Sequence, residues 1–213
     1  MKAAARFALM LSCCSLLSAC GMAVFESPPG QQLAGCDARF VGHWRLVTPE
    51  DHGDTRLLYV SIGPECSSYE VGGKKLYQAP GKQVSPVFAR VDDQSILALP
   101  LASTQPAGED APRWERGGYL YFAYRQQGDR LHLYPVLDKT VARLIIDDAM
   151  PGRVNVVTGV PPEEYEPLSV FAIGAPERMA DIVQRPDLFH KEPMTLVPVA
   201  ATELPQSQAG GMP

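Results

Sequence analysis

Few of the side chains able to do chemistry stand at spacings that would let them do it. The four histidines, His43, His52, His132 and His190, are scattered along the chain. No two fall within metal-ligand spacing and neither His-x-His nor His-Glu-x-x-His occurs, so the sequence offers no zinc site and points to no cofactor. His43 is expected on the outer side of a strand and His52 at a turn tip, both solvated. Gly-x-Ser-x-Gly and Ser-x-x-Lys nucleophile motifs are absent. A serine triad is defined by geometry rather than by spacing, which leaves a hydrolase built from scattered residues as the weakest of three functional readings, with no catalytic residue to name. The carboxylate pairs Asp92-Asp93 and Asp147-Asp148 are adjacent in sequence. Neighbours on a strand point to opposite faces and on a helix diverge by about 100°, so neither pair shares a proton easily. The first reads as a turn and the second as a helix end. Gly72-Gly73-Lys74 lacks the surrounding phosphate-loop pattern, and "PPEEYEP", Pro161 to Pro167, is a stiff acidic loop.

Sulfur says more. Lys2 and Arg6 precede an apolar run of 11 residues, Phe7 to Leu17, which ends close to Cys20. As a helix that run is roughly 16 Å long at about 1.5 Å per residue, half of a hydrocarbon core of about 30 Å, so it reads as a removable export signal. Leu17-Ser18-Ala19-Cys20 resembles the bacterial lipobox, in which a leucine and two small residues precede a cysteine that takes lipid. That resemblance implies that residues 1–19 are cut away as a signal peptide, that Cys20 is thioether-linked to diacylglycerol, and that its new amine is acylated with a palmitate-like chain. Each buried methylene is worth about 0.8 kcal/mol, and two or more chains hold where one does not. Lipoproteins of this type carry aspartate after the cysteine when they are kept in the inner membrane. Gly21 therefore implies the outer membrane, with the domain facing the periplasm.

Without residues 1–19, Cys20 to Pro213 leaves 194 residues, enough for one domain with a sizeable core. Of 19 basic residues, Lys2 and Arg6 go with the signal, and the remaining 17 against 24 acidic ones give a net charge of about −7. A mildly acidic domain is a poor candidate for nucleic acid or anionic lipid headgroups. Cys13 and Cys14 also leave, so Cys36 and Cys66 are an even pair in an oxidising compartment and read as a disulfide. Two buried thiols are the alternative; thiol catalysis has no Cys-x-x-Cys and no neighbouring histidine to support it. Phe40 to Val47 and Thr55 to Ile62 read as a hairpin about the turn residues Thr48 to Asp54. Residues summing to about 102 would then face each other, which places Cys36 opposite Cys66 at the open end.

Residues 20–35, with Pro, Gly and Gln and no periodicity, read as the lipid anchor and a flexible tether. Residues 36–199 read as a single β-rich domain and 200–213 as a disordered tail. From Cys36 onward, apolar and polar residues alternate, with turn signals about every ten residues. The further pairs are Tyr69 to Val71 with Lys75 to Gln78, Gln83 to Val91 with Ser95 to Leu101 about Asp92-Asp93, and Tyr119 to Val136 with its tip at Gln127 to Asp129. In the last, Leu120, Phe122 and Tyr124 share one face and Tyr119, Tyr121 and Ala123 the other. Thr140 to Ala149 reads as a helix with a strand as the competing reading. Pro176 to Gln184 reads as a helix with proline in its first turn and a stop before Pro186. Arg153 to Thr158, Leu168 to Ile173 and Thr195 to Val199 supply the closing strands.

Phe40-Val41-Gly42-His43-Trp44, with Asp37 and Arg39 just before it, resembles the opening motif of lipocalins. The resemblance spans about eight residues, its acidic residue stands three rather than four positions before the aromatic, and no second lipocalin motif follows. It implies that Phe40, Gly42 and Trp44 form the floor of a barrel. Gly174, Pro176, Glu177, Leu188 and Phe189 extend a looser similarity to small bacterial envelope proteins of uncharacterised function. The expected fold is mainly β, an antiparallel meander closing as a lipocalin-like barrel or a curved sheet, with one or two short helices in the C-terminal third. The expected function is non-enzymatic binding of a small lipophilic or amphipathic ligand in the barrel, for which Tyr119, Tyr121 and Tyr134 are the candidate contacts. An envelope structural or protein-interaction protein with a filled barrel is the alternative. The expected partners are the membrane, through the anchor, and such a ligand or an envelope protein.

Overall fold

Alternation is what builds this molecule, and the strands it predicts form one large curved sheet. The computed structural model describes residues 22–47, 58–64, 66, 69–71, 74–75, 86–102, 117–156 and 168–204. Its strands are β1 (Met22–Phe25), β2 (Gln31–Gln32), β3 (Gly42–Val47), β4 (Leu58–Ile62), β5 (Tyr69–Val71), β6 (Lys74–Lys75), β7 (Val87–Val91), β8 (Gln94–Ala102), β9 (Gly117–Gln127), β10 (Arg130–Pro135), β11 (Gly152–Val156), β12 (Leu168–Ala172) and β13 (Met194–Pro198). Two helices, α1 (Asp138–Ile146) and α2 (Pro176–Val183), lie between strands of the C-terminal half.

The main path runs β6-β5-β4-β3-β13-β10-β9-β8-β7-β2, antiparallel throughout. At β9 the sheet forks. One edge of β9 is shared between β10, which reaches Phe122, and β1, which pairs at Tyr119 and carries β12 and β11 beyond it. The β1–β12 pair is parallel. Among the described residues no pairing joins β6 to β7 or β2, so the sheet is curved and open rather than closed as a barrel.

Both faces of β7, β8 and β9 are buried. The concave face holds Phe40, Trp44, Ile62, Phe88, Leu97, Tyr124, Leu131, Leu133 and Leu196. Phe40 and Tyr124 meet edge to face with centroids 4.9 Å apart, and Phe88 packs on Phe40 at 5.1 Å. Ala89, Val91, Ile96, Ala98, Tyr121 and Ala123 face the other way. They pack with β1, β12 and the apolar stripes of the helices, Val141, Ala142 and Leu144 from α1 and Met179, Ile182 and Val183 from α2. At about 1.5–3 kcal/mol for each large apolar side chain fully buried, each layer contributes comparably to stability.

The helix over Pro176–Val183 matches its sequence signals, with proline at N1 and Glu177 in the first turn. α1 is a helix, not the competing strand, and starts two residues before the predicted Thr140. Its N-cap, Leu137, makes no side-chain capping bond, which leaves that boundary without a readable signal.

The tether reading of residues 20–35 is corrected from Met22 onward. β1 lies inside the sheet with Ala23 buried and Phe25 wholly so, and the Phe25 ring stacks flat on Tyr121, centroids 3.9 Å apart. The proline-rich stretch after it is also held. Pro28 and Pro29 are buried, Ser27 Oγ donates to the Gly174 carbonyl, and Tyr121 donates its hydroxyl to the Ser27 carbonyl. Gly30 N–H donates to Pro176 O at 2.8 Å and Leu33 N–H to Phe88 O at 2.7 Å. Composition misleads here because proline gives up little entropy when fixed and packs well without periodicity. Gly118 lets β1 approach: a Cβ there would stand 2.7 Å from the Phe25 carbonyl oxygen.

The tail reading is corrected in the same way for its first residues. A 3-10 turn spans Ala201–Glu203, and Glu203 Oε1 accepts from Ala200 N–H at 3.0 Å. Residues 205–213 lie outside the described residues, as do residues 1–21.

Candidate functional site

Cys20 lies outside the described residues, two before Met22, the first that the structure places. The other sulfur pair is in view. Cys36 and Cys66 stand together as a disulfide, with Cα atoms 5.3 Å apart, inside the ordinary range of about 4.4–6.8 Å. They are not register partners. Gly42 pairs with Ile62 and His43 with Ser61, so facing residues sum to 104 rather than 102. The bridge instead joins two non-strand segments past the end of the ladder. One precedes the 3-10 turn Ala38–Phe40 and the other is a turn in which Cys66 N–H donates to Gly63 O at 2.9 Å.

The sheet, open among the described residues, has no barrel floor for Phe40, Gly42 and Trp44 to form, and these residues stand where the 3-10 turn enters β3. Phe40 and Trp44 are buried, and Trp44 Nε1–H donates to the Phe40 carbonyl at 2.8 Å. Gly42 between them has φ +141°, a region where side chains are strained, so the turn from 3-10 helix into β3 requires glycine. The acidic and basic residues before the motif also have work. Asp37 caps the 3-10 turn through Arg39 N–H at 3.0 Å and binds the Arg39 guanidinium. It accepts the Tyr124 hydroxyl at 2.6 Å, and Arg39 lies over the Tyr124 ring at 5.0 Å. This cluster pins the start of β3 to the middle of β9.

Burial pushes the Asp37 carboxyl up, but the hydrogen bonds from Arg39 and Tyr124 outweigh it and hold the group below the usual carboxylate range. Desolvation first, and then the bond to Asp37, pushes the Tyr124 phenol well up. A depressed carboxyl contributes stability that is present above its unfolded value and lost as pH falls through its folded one. Asp37→Ala is therefore expected to cost about 1 kcal/mol at pH 5–8, the loss of a cap and its ion pair. That gap should narrow as pH falls below about 3.9, where the unfolded chain takes up the proton first, and close as pH falls on through the lower value of the native group. Urea midpoints of both proteins across this range check it; a gap unchanged at low pH contradicts it.

The three candidate tyrosines separate. Tyr121 is buried under Phe25, its hydroxyl committed to Ser27, and burial pushes its phenol far up. Tyr119 is half-buried against the same core. Tyr134 alone faces a cleft. An open groove of about 640 Å³ lies on the convex, helix-covered side, between the β7–β8 turn, the middle of β9 and β10, and the segment that follows α2. Its floor is aromatic, Tyr134 and Phe189, and the Arg125 guanidinium sits 5.0 Å over the Tyr134 ring. Arg185, His190 and Lys191 form one rim and Asp92 and Asp93 the other. Arg185 is paired with Asp187 at 3.2 Å.

Sequence reasoning missed all of this groove except Tyr134, because its walls come from four segments far apart in the chain. The concave face, where a ligand was expected, is filled by the Phe40, Phe88 and Tyr124 cluster.

Two of the histidines face hydroxyls across the sheet. His43 Nδ1 lies 2.9 Å from Ser61 Oγ and His132 Nδ1 lies 3.1 Å from Thr195 Oγ1, both cross-strand pairs. Among the described residues neither ring is bonded to a carboxylate. Ser95 and His190 both line the groove, and Ser95 pairs across the sheet with Tyr124. His52 lies outside the described residues. Among those residues no three His, Cys, Asp or Glu side chains converge to hold a metal ion, and no helix is long and apolar enough to cross a membrane. No protein-family model, no curated protein and no solved structure matches this chain.

Proposed function

We propose that the chain is a lipid-anchored lipoprotein of the bacterial outer membrane, facing the periplasm, that works by non-enzymatic binding of an amphipathic ligand at the Arg125–Tyr134–Phe189 groove. The observation that carries the binding site is the position of the cleft. A ligand with an apolar body and an anionic end would lay the first on Tyr134 and Phe189 and offer the second to Arg125 and Lys191. The packed concave face favours binding on the outer surface over binding in a lumen.

Native mass spectrometry of the full protein from its own membranes tests this. A copurifying amphiphile should be present with the wild type and lost from an Arg125→Glu, Tyr134→Ala double variant that keeps its melting temperature. A ligand retained by that variant, or none in the wild type, overturns the assignment.

The filled interior also supports the second reading, an envelope protein that contacts another protein. A photo-crosslinker in place of Phe189 would then trap one defined protein in cells, and the mass spectra would show no small ligand. The anchor rests on the lipobox resemblance at Leu17 to Cys20. Cys20→Ser is expected to abolish incorporation of labelled palmitate. Incorporation that persists, or a mature terminus at another residue, removes the anchor.

A further inference from the structure

If Cys20 carries the lipid, as proposed above, the body has almost no slack. Gly21 alone separates Cys20 from β1. At about 3.6 Å per residue, Cys20 Cα lies within about 7 Å of Met22 Cα. Met22 is fixed by its pairing with Ser169 in the interior of the sheet.

The register shows what lies beyond that point. Phe25 is antiparallel to Tyr119, which sets Met22 level with Phe122. From Phe122, β9 runs on to the Gly128–Asp129 turn, in the direction from which the chain arrives at Met22. At about 3.4 Å per residue that is roughly 20 Å. The hairpin therefore outreaches the anchor by on the order of 13 Å. Its end carries Arg125, Gln126, Gln127, Asp129 and Arg130, all exposed. These side chains are too polar for hydrocarbon, and the headgroup layer is only about 5–7 Å deep on each side. A body standing upright on its anchor would drive this tip through that layer.

We infer that the domain leans over and lays the exposed end of the β9–β10 hairpin along the phospholipid headgroups, so that the bilayer surface is the partner of this hairpin. Arg125 and Arg130 can bond headgroup phosphates, while Asp129 and the level Asp92 and Asp93 keep this end from being net cationic, so reach rather than net charge sets the contact. The groove, whose Asp92–Asp93 rim is level with the same end of β9 by the pairing of Ser95 with Tyr124, then opens near the headgroup layer.

The test uses the mature lipidated protein in vesicles of phosphatidylethanolamine and phosphatidylglycerol, with a fluorophore attached at Asp129→Cys or, as the control, at Glu177→Cys. Glu177 is exposed on α2, beyond the end of β12 away from Met22. Nitroxide lipids labelled in the headgroup should quench the fluorophore at 129 several-fold more than the one at 177. A flexible Gly-Ser segment inserted between Gly21 and Met22 should reduce that difference. Equal quenching at 129 and 177 on protein whose mass includes the acyl chains overturns the docking and leaves the anchor standing. Protein without acyl chains on Cys20 overturns both.

Discussion

Phe25→Ala is expected to lower the free energy of unfolding by about 3–5 kcal/mol, the usual cost of truncating a buried phenylalanine. Phe25 is wholly excluded from solvent, stacks flat on Tyr121, and lies in the layer that β1 shares with β9, α1 and α2. Collapse of the neighbours into the gap is limited because Tyr121 is held by its bond to the Ser27 carbonyl. In a domain of this size each kcal/mol moves the melting temperature by about 2–4 °C, so a fall of roughly 10 °C is expected in a thermal melt. The result separates two structures for the N-terminal segment. A tether at residues 20–35 would leave the melting temperature of Phe25→Ala at the wild-type value.

Joint replacement of Cys36 and Cys66 by alanine is the second large effect. The bridge closes a sequence separation of 30 residues, for which chain entropy alone gives about 3.6 kcal/mol. Denatured-state structure reduces this, and about 2–4 kcal/mol is the expected loss in urea denaturation under oxidising conditions. A reducing agent should bring the wild type to the stability of the double variant and leave the variant unmoved. The effect reaches beyond the loop, because Cys66 is buried in the concave core beside Ile62 and Phe40. An unchanged urea midpoint contradicts the covalent link.

Much of the sheet was legible because hairpins declare themselves locally. The β7–β8 turn at Asp92-Asp93, the β9–β10 turn beside Gly128 and the helix opening at Pro176 each depend on a few neighbouring residues. The partition of Tyr124 from Tyr121 across β9 follows from a period of two. What alternation alone does not give is the environment of each face. Both faces of β9 are dry because β1, β12 and the two helices cover the second one, and that is a long-range fact. A signal for it existed in Ile96 to Leu101, where the apolar residues run on without a polar partner face, as expected of a strand buried on both sides. The register of β3 on β4 was off by two, Leu46 facing Leu58, and the cysteines still meet because the 3-10 turn before β3 and the turn before Cys66 both lie outside the ladder. The groove was illegible for a simpler reason: no local pattern links Asp92 to Arg125, Tyr134 and His190.

β1 has a further consequence, for the order of events as the molecule forms. Its neighbours are β9 and β12, and the contact of Ser27 with Gly174 spans 147 residues. The first of the described strands is thus completed only after β12 is made. Local pairing is open to the β3–β6 and β7–β10 meanders, where sequence neighbours are also spatial neighbours, and loop closure of such length makes the joining of β1 to β12 the slow step. β1 has its first partner once β9 is made, at Phe25 and Tyr119, and its full register only once β12 follows.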